Sequence, residues 1–429
     1  MKTLPYLPSI GFRIAPSAAS YACAVSLCVG VSAKDLFEFN AVTTDGGPFV
    51  SITQGTSNLP DKVSELVDGT GQFSQLNNRA FTASLRYGGV PQALLFNIQP
   101  AGPNWVAQLT SPFDPTVISR NFVGATRLDL ENQIDQYLEQ NGLGDLAKLM
   151  ASLDKRTIAG ALDGNPTAAT SVAANAYFGE YGLRATETAE ESSAEDTAST
   201  SRSGIAMTAD AGTFRSQEFQ GETYSWTPMV PLAIGDSRRV RLEFSLPLNY
   251  TTIEGADQFR AGGQLAVAML LKKRGKDQPW LWQVTPHAGT LVAGSVDMLA
   301  GGMLVSGGAT SYLSYRWNGW EFSMGNHASF HEGLSVTVGD YEFNPDVSQQ
   351  ILKNGFKVGR SLGQRWYAES YVIDTEFLQD AFISRFLTVG AGVGYRGANR
   401  KGYAMIGVYG NFGDDYTSGN LQFGTGWKF

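Results

Sequence analysis

From Arg239 to Asn249 the chain alternates, with Val240, Leu242, Phe244, Leu246 and Leu248 between Arg239, Arg241, Glu243, Ser245, Pro247 and Asn249. A period of two sets one wholly apolar face against a charged or polar face, which predicts a β-strand. Leu387, Val389, Ala391, Val393 and Tyr395 repeat the pattern against Thr388, three glycines and Arg396, and Trp320, Phe322 and Met324 do so against Glu321, Ser323 and Gly325. Leu265, Val267, Met269 and Leu271 form a further ladder that ends at Lys272. Such runs continue from Gly204 to Phe429, separated by turns rich in Gly, Asp and Asn. Counted from Phe214 they number about 12, an even count that puts both ends of the sheet on one side.

Period two is shared by membrane barrels and soluble sandwiches, since both hide one face of each strand. Aromatic residues recurring at strand ends favour the barrel: Trp280 and Trp282, Trp317 and Trp320, Trp366 and Tyr367, Trp427 and Phe429 suit belts at two membrane interfaces. After the first 33 residues no stretch reaches the ~18 unbroken apolar residues of a membrane helix, so any crossing is made by strands.

The N-terminal half has a different rhythm. Short strands are predicted over Phe81–Tyr87, Gln92–Ile98 and Trp105–Leu109, punctuated by Gly88-Gly89 and Gly102-Pro103. Helices follow over Thr126–Asn141, with Leu130, Ile134, Tyr137 and Leu138 on one face, and over Asp145–Leu153. The fold class is therefore an α+β domain (34–165) followed by a transmembrane antiparallel β-barrel (204–429). Between them, 166–203 begins Ala-rich and turns acidic through Glu187, Glu190, Glu191, Glu195 and Asp196. That composition buries too little apolar area to offset ordering and reads as a linker, with the Ala-rich part alternatively a helix that plugs the pore.

Composition adds a compartment. Lys2 and Arg13, a small and apolar stretch from Ala18 to Val31, and Val31-Ser32-Ala33 read as a signal peptide over 1–33. Both cysteines, Cys23 and Cys28, fall inside it without a lipoprotein context, so the exported chain has no disulfide framework. Removing Lys2 and Arg13 takes the formal charge from −8 to about −10, which disfavours nucleic acid. Charged residues make up 17% and there are 49 glycines, against a usual ~25% charged and ~7% Gly, a balance that suits a lipid-facing β-protein.

The segment Leu421-Gln422-Phe423-Gly424-Thr425-Gly426-Trp427-Lys428-Phe429 resembles the closing strand of Gram-negative outer-membrane proteins, with Phe423, Trp427 and terminal Phe429 on one face. The resemblance implies the cell outer membrane, contact with its lipid, and recognition of that strand by the barrel-assembly machinery. The order of signal, small domain, linker and barrel is similar to autotransporters. It is also similar to the secretion channel for functional amyloid subunits, in which a helical region plugs the barrel. The N-terminal domain is then passenger, plug or periplasmic gate, periplasmic or surface-exposed, and the barrel a transport or secretion pore. The other reading makes the barrel an anchor for a partner-binding domain. Homo-oligomers are compatible with either, and the translocated substrate is unspecified.

Alternation assigns Arg239, Arg241, Glu243, Lys272, Arg316, Glu321, Glu369 and Arg396 to the lumen, as pore lining or as a salt network that fills it. The chain has three histidines, His287, His327 and His331. On a strand His327, Ser329 and His331 point one way, and His327-Ala328-Ser329 resembles the His-x-Ser of outer-membrane phospholipase A, although that family's Ser-Asn-Gly signature is missing. Lipid hydrolysis by His327 and Ser329 is thus a minor alternative to polar residues facing a wet lumen. An i,i+4 pair on a strand spans ~13 Å, so His327 and His331 predict no metal site, and no cofactor is expected.

Overall fold

The computed structural model describes residues 35–429 except 57–58, 138–142, 179–203, 236–238, 275–277, 296–299, 339–340, 344–346, 398–401 and 429. The expected signal segment, the acidic stretch from Glu187 to Asp196 and the terminal Phe429 lie outside the described residues.

Six strands, β1 (Phe37–Thr43), β2 (Ser51–Thr56), β3 (Phe81–Tyr87), β4 (Val90–Ala101), β5 (Asn104–Thr110) and β6 (Ser119–Gly124), form one sheet in the order β2-β1-β3-β4-β5-β6. The β3–β4 turn is Gly88-Gly89 with φ of +50° and +90°, the left-handed pair that a two-residue hairpin demands. Helices α1 (Leu59–Asp68), α2 (Arg127–Tyr137) and α3 (Leu143–Leu153) bury Leu66, Leu130, Ile134 and Leu149 in a common core with Phe39, Leu85 and Phe96. Helix α2 starts at a reciprocal cap: the Asp129 N–H donates to Thr126 Oγ1 and the Thr126 N–H to Asp129 Oδ2, both at 3.1 Å. The sequence reading missed β1, β2, β6 and α1, whose runs are short and polar on one side.

The second sheet closes on itself. Its strands are β7 (Gly204–Ser216), β8 (Phe219–Ile234), β9 (Val240–Ser245), β10 (Leu248–Ile253), β11 (Ala256–Lys272), β12 (Trp280–Ser295), β13 (Ala300–Trp317) and β14 (Trp320–Leu334). A small hairpin, β15 (Val336–Val338) and β16 (Tyr341–Phe343), precedes β17 (Ser348–Ser361), β18 (Trp366–Phe377), β19 (Arg385–Arg396), β20 (Gly402–Gly413) and β21 (Tyr416–Lys428). Strands β9 and β10 are two halves of one strand, separated at Leu246-Pro247, where proline has no N–H for the ladder. With that pair counted once the barrel has twelve antiparallel strands, and β21 pairs β7 from Lys428↔Gly204 to Tyr416↔Ser216. Closure removes the free edges that an open sheet would expose.

The wall has an apolar exterior. Phe244, Val292, Met324, Val389, Ile406, Val408 and Phe423 point outward and are exposed. Trp280, Trp317, Trp366 and Trp427 ring the end at which β7 begins and β21 finishes, while Tyr224, Tyr250 and Phe259 stand toward the other end. The longest connection, 335–347, is at that other end, where the two-residue turns 217–218 and 254–255 also lie.

The six-stranded domain packs on that same mouth. Arg86 of β3 pairs with Glu218 in the β7–β8 turn, and Phe214, Phe219, Phe386 and Tyr416 from the barrel join the domain's own core. The segment after α3 enters the mouth, where Asp154, Ile158, Ala161, Asp163 and Asn165 are buried. Helix α4 (Ala169–Phe178) then runs down inside the wall. Ala169 lies against Leu291 and Leu304 near the domain end, and Phe178 against Leu281 and Tyr312 further toward the opposite end. The helix has no single apolar stripe because barrel surrounds it, as expected of a helix buried on all sides.

Candidate functional site: the filled lumen

Alternation places polar side chains inside the wall, and the lumen collects them around α4. At the mouth Arg260 of β11 is fully buried and works as a bracket for the entering segment. Its Nε donates to the Ala161 carbonyl at 3.1 Å, and Nη1 donates to Asn249 Oδ1 at 2.9 Å and Thr251 Oγ1 at 3.0 Å. Gln258 Nε2 donates to the Ala159 carbonyl at 2.7 Å. Facing them, the Asp154 carboxylate accepts the N–H groups of Ala161 and Leu162 at 2.9 and 2.7 Å and folds the segment back on itself. Burial pushes the Asp154 carboxyl up to about 7, opposed by those two N–H donors, reinforced by nearby Asp163 and opposed again by Arg260. Asp163 is also raised by burial.

Lower down, Gln264 Nε2 donates to the Ala173 carbonyl at 3.1 Å, and Lys353 reaches Asn175. Tyr177 stacks on His287 with ring centroids 3.8 Å apart, and His287 stacks on His327 at 5.1 Å. Phe178 tilts against His327 and closes over Gly355, where a Cβ would sit 3.1 Å from its ring. Helix α4 thus ends on a stack of aromatic and imidazole rings.

The suspected dyad belongs to this stack. Thr310 Oγ1 lies 2.9 Å from His327 Nδ1, His327 Nε2 3.1 Å from Ser329 Oγ, and Ser329 Oγ 2.9 Å from His331 Nε2. Both histidines are buried, and β14 is paired along this stretch with β13 and with β17. Its N–H groups are therefore committed to ladders rather than free to hold an oxyanion. The chain of hydrogen bonds links Thr310, His327, Ser329 and His331 beneath α4 and leaves His331 Nδ1 without a partner among the described residues. Among the described residues no three His, Cys, Asp or Glu side chains gather as metal ligands.

The eight residues read as lumen lining separate. Glu243 is buried beside Arg241 at 2.6 Å, Glu369 pairs with Lys357 at 3.3 Å, and Glu321 holds Arg316 at 3.0 Å and Arg274 at 3.5 Å. Arg396 lies over the Tyr367 ring at 4.5 Å. Arg239 is exposed just before its strand, and a bulge between Leu270 and Lys272 sets Lys272 opposite outward-facing Trp282, which takes Lys272 off the inner face. Arg260, Arg274, Lys353 and Lys357 were missed. Extending the ladder at Leu265 backward through Phe259 and Asp257 would have put Arg260 on the inner face.

A cavity of about 130 Å³ remains on one side of α4, lined by Asn175 and Phe178 of the helix and by Asp210, Ser225, Tyr409 and Asn420 of the wall.

This is a closed twelve-strand antiparallel β-barrel with an apolar exterior. No family model matches the chain, and no curated protein matches it. Solved structures similar to it include the translocator domain of the autotransporter NalP from Neisseria meningitidis, at 12% identity over 60% of this chain and 98% of that one, with a TM-score of 0.40. The transport unit of the autotransporter AIDA-I from Escherichia coli matches at 11% identity over 58% and 98%, with a TM-score of 0.35. An outer membrane channel from Pseudomonas putida matches at 8% identity over 55% and 99%, with a TM-score of 0.37. The twelve-strand closure stands on the chain's own pairing.

Proposed function

We propose that the barrel is a secretion unit that carries its own N-terminal domain to the cell surface and keeps it there. One observation supports this above the others: α4 descends the lumen from a domain docked at one mouth, while β7 begins at the opposite end. Outer-membrane barrels with an even strand number keep both strand termini on the periplasmic side and their longer loops outside. On that rule the Gly204 and Lys428 end is periplasmic, and the domain beside connection 335–347 faces the exterior. The domain is then the passenger and α4 the segment left in the pore. The buried contacts around Arg260 favour retention at the mouth over release, which makes the displayed domain the part that meets a partner.

Protease shaving of intact cells tests this, with one epitope inserted in the exposed turn at Gly102 and another in the turn at 318–319. Loss of the first epitope with survival of the second is expected. Protection of the Gly102 epitope until the outer membrane is opened would make the domain periplasmic and overturn the reading.

A further inference from the structure

The charges of the barrel divide between its two ends. At the end where β7 begins and β21 finishes, the carboxylates among the described residues are Glu243, Glu321 and Glu369. Each turns inward, to Arg241, to Arg316 and Arg274, and to Lys357 respectively. Cations on the outside are left over. Arg239, Lys272, Lys273, Arg360 and Arg365 are exposed there, and none has a carboxylate partner among the described residues. At the opposite end Glu222, Asp257, Glu332 and Glu376 are exposed against Arg215 and Arg385, and Asp374 already holds Arg385 at 2.8 Å. The leftover cations also stand among indoles, in a sector that runs from β9 round to β18. Lys272 lies opposite Trp282 in the ladder, and Arg360 lies opposite Trp320 with its guanidinium 4.8 Å from the ring centroid. Arg365 Nη1 donates to Tyr395 Oη at 3.3 Å, and the Tyr395 ring meets Trp366 edge-on at 5.0 Å.

We infer that this sector binds the anionic headgroups of phospholipids, whose phosphodiesters seat between the leftover cations and the tryptophan belt. Indoles settle at the boundary between headgroups and acyl chains, so cations interleaved with them lie at headgroup depth. Lysine and arginine stems cover apolar wall while their charged heads reach the polar layer. A guanidinium also offers a phosphate two parallel N–H donors, which makes Arg360 and Arg365 the stronger seats. A soluble acidic partner would have to strip lipid from around the indoles, whereas a headgroup is already there. On the orientation proposed above this end meets the periplasmic leaflet, where the anions are phospholipid phosphodiesters. The inference rests on that reading for the source of the lipid, and only on the barrel lying in a bilayer for its chemistry.

Five of the eight tryptophans, Trp280, Trp282, Trp317, Trp320 and Trp366, belong to this sector, so indole fluorescence reads which lipid lies beside it. The full chain is reconstituted in phosphatidylcholine vesicles that contain the same small fraction of either brominated phosphatidylglycerol or brominated phosphatidylcholine, bromine being a contact quencher of indole. In the wild type phosphatidylglycerol should be enriched at the wall roughly fivefold, the scale of one cation acting on one headgroup. Salt at ~1 M, where the Debye length falls to ~3 Å, should remove most of that preference. R239Q, K272Q, K273Q, R360Q and R365Q combined should bring the two lipids to parity. R215Q at the opposite end should leave the preference unmoved, and heat-modifiable migration on gels confirms that all three barrels are folded. Equal quenching by the two lipids in the wild type would overturn the inference, and so would a preference that survives intact in the combined variant. Neither result depends on which side of the membrane the six-stranded domain faces in cells, which protease shaving reads separately.

Discussion

Phe178 is the residue on which the position of α4 in the lumen turns. It is fully buried and touches Leu281, Tyr312, Ile373 and His327, strands that span a large part of the wall. Truncating a buried Phe to Ala costs about 3–5 kcal/mol. The lower end applies here because water from the adjoining cavity can fill part of the void. About 3 kcal/mol changes the ratio of seated to unseated helix roughly 150-fold. Reconstituted in a planar bilayer, F178A should therefore show an open fraction on the order of 10²-fold above the wild type, and F178L much less, since it refills most of the volume. Gly355 offers the same test from the wall, because a Cβ there would stand 3.1 Å from the Phe178 ring and valine would press further. If F178A and G355V form normal heat-modifiable barrels yet conduct as rarely as the wild type, the ring stack does not hold the helix.

Replacing Arg260 with Met should leave the Ala161 carbonyl and Asn249 Oδ1 without their buried donor and loosen the segment after α3, at about 1–3 kcal/mol for each group left unpaired; faster trypsin cleavage after Lys155 or Arg156 would register it. Burial raises the Asp154 carboxyl from 3.8 to about 7, so the docked segment binds a proton more readily than the free one. Docking should then be firmest below pH 3.8 and weaken as pH rises through about 7, and D154N should flatten that dependence in the same cleavage assay. Gly88 has φ +50° and a Cβ there would meet Thr157 Oγ1, whose hydroxyl donates to the Gly88 carbonyl at 2.8 Å, so G88A should loosen the domain from the mouth. Cross-linking Arg86→Cys to Glu218→Cys should fail in that variant and succeed in the parent.

The barrel was legible because membrane crossing leaves strands few choices. Val240, Leu242 and Phe244 must face lipid, so Glu243 and Ser245 must face inward, and the same logic extends to Thr388 and Glu369. What lay beyond the pattern was what the inward side chains meet. His327 and Ser329 suggest catalysis when their neighbours are unknown. Beneath α4 they are one link between Thr310 and His331. The Ala-rich stretch before Phe178 carries no stripe to announce its environment, because a helix enclosed by wall needs none. Lys272 shows the opposite limit: at a strand end a bulge decides the side, and residue spacing alone does not record it.

Closure between β7 and β21 has a topological consequence. The strand that seals the ring follows the other eleven barrel strands in the chain, and the chain inside the ring leads to a folded six-stranded sheet at one mouth. That sheet is wider than a lumen which a single helix nearly fills, so the assembled molecule is a bead threaded on a ring it cannot slip through. The order of events is therefore constrained: either the domain folds only after its chain has passed, or the seam shuts around a strand already in transit. Once both steps are complete, separation requires unfolding the bead, cutting the thread, or reopening the seam.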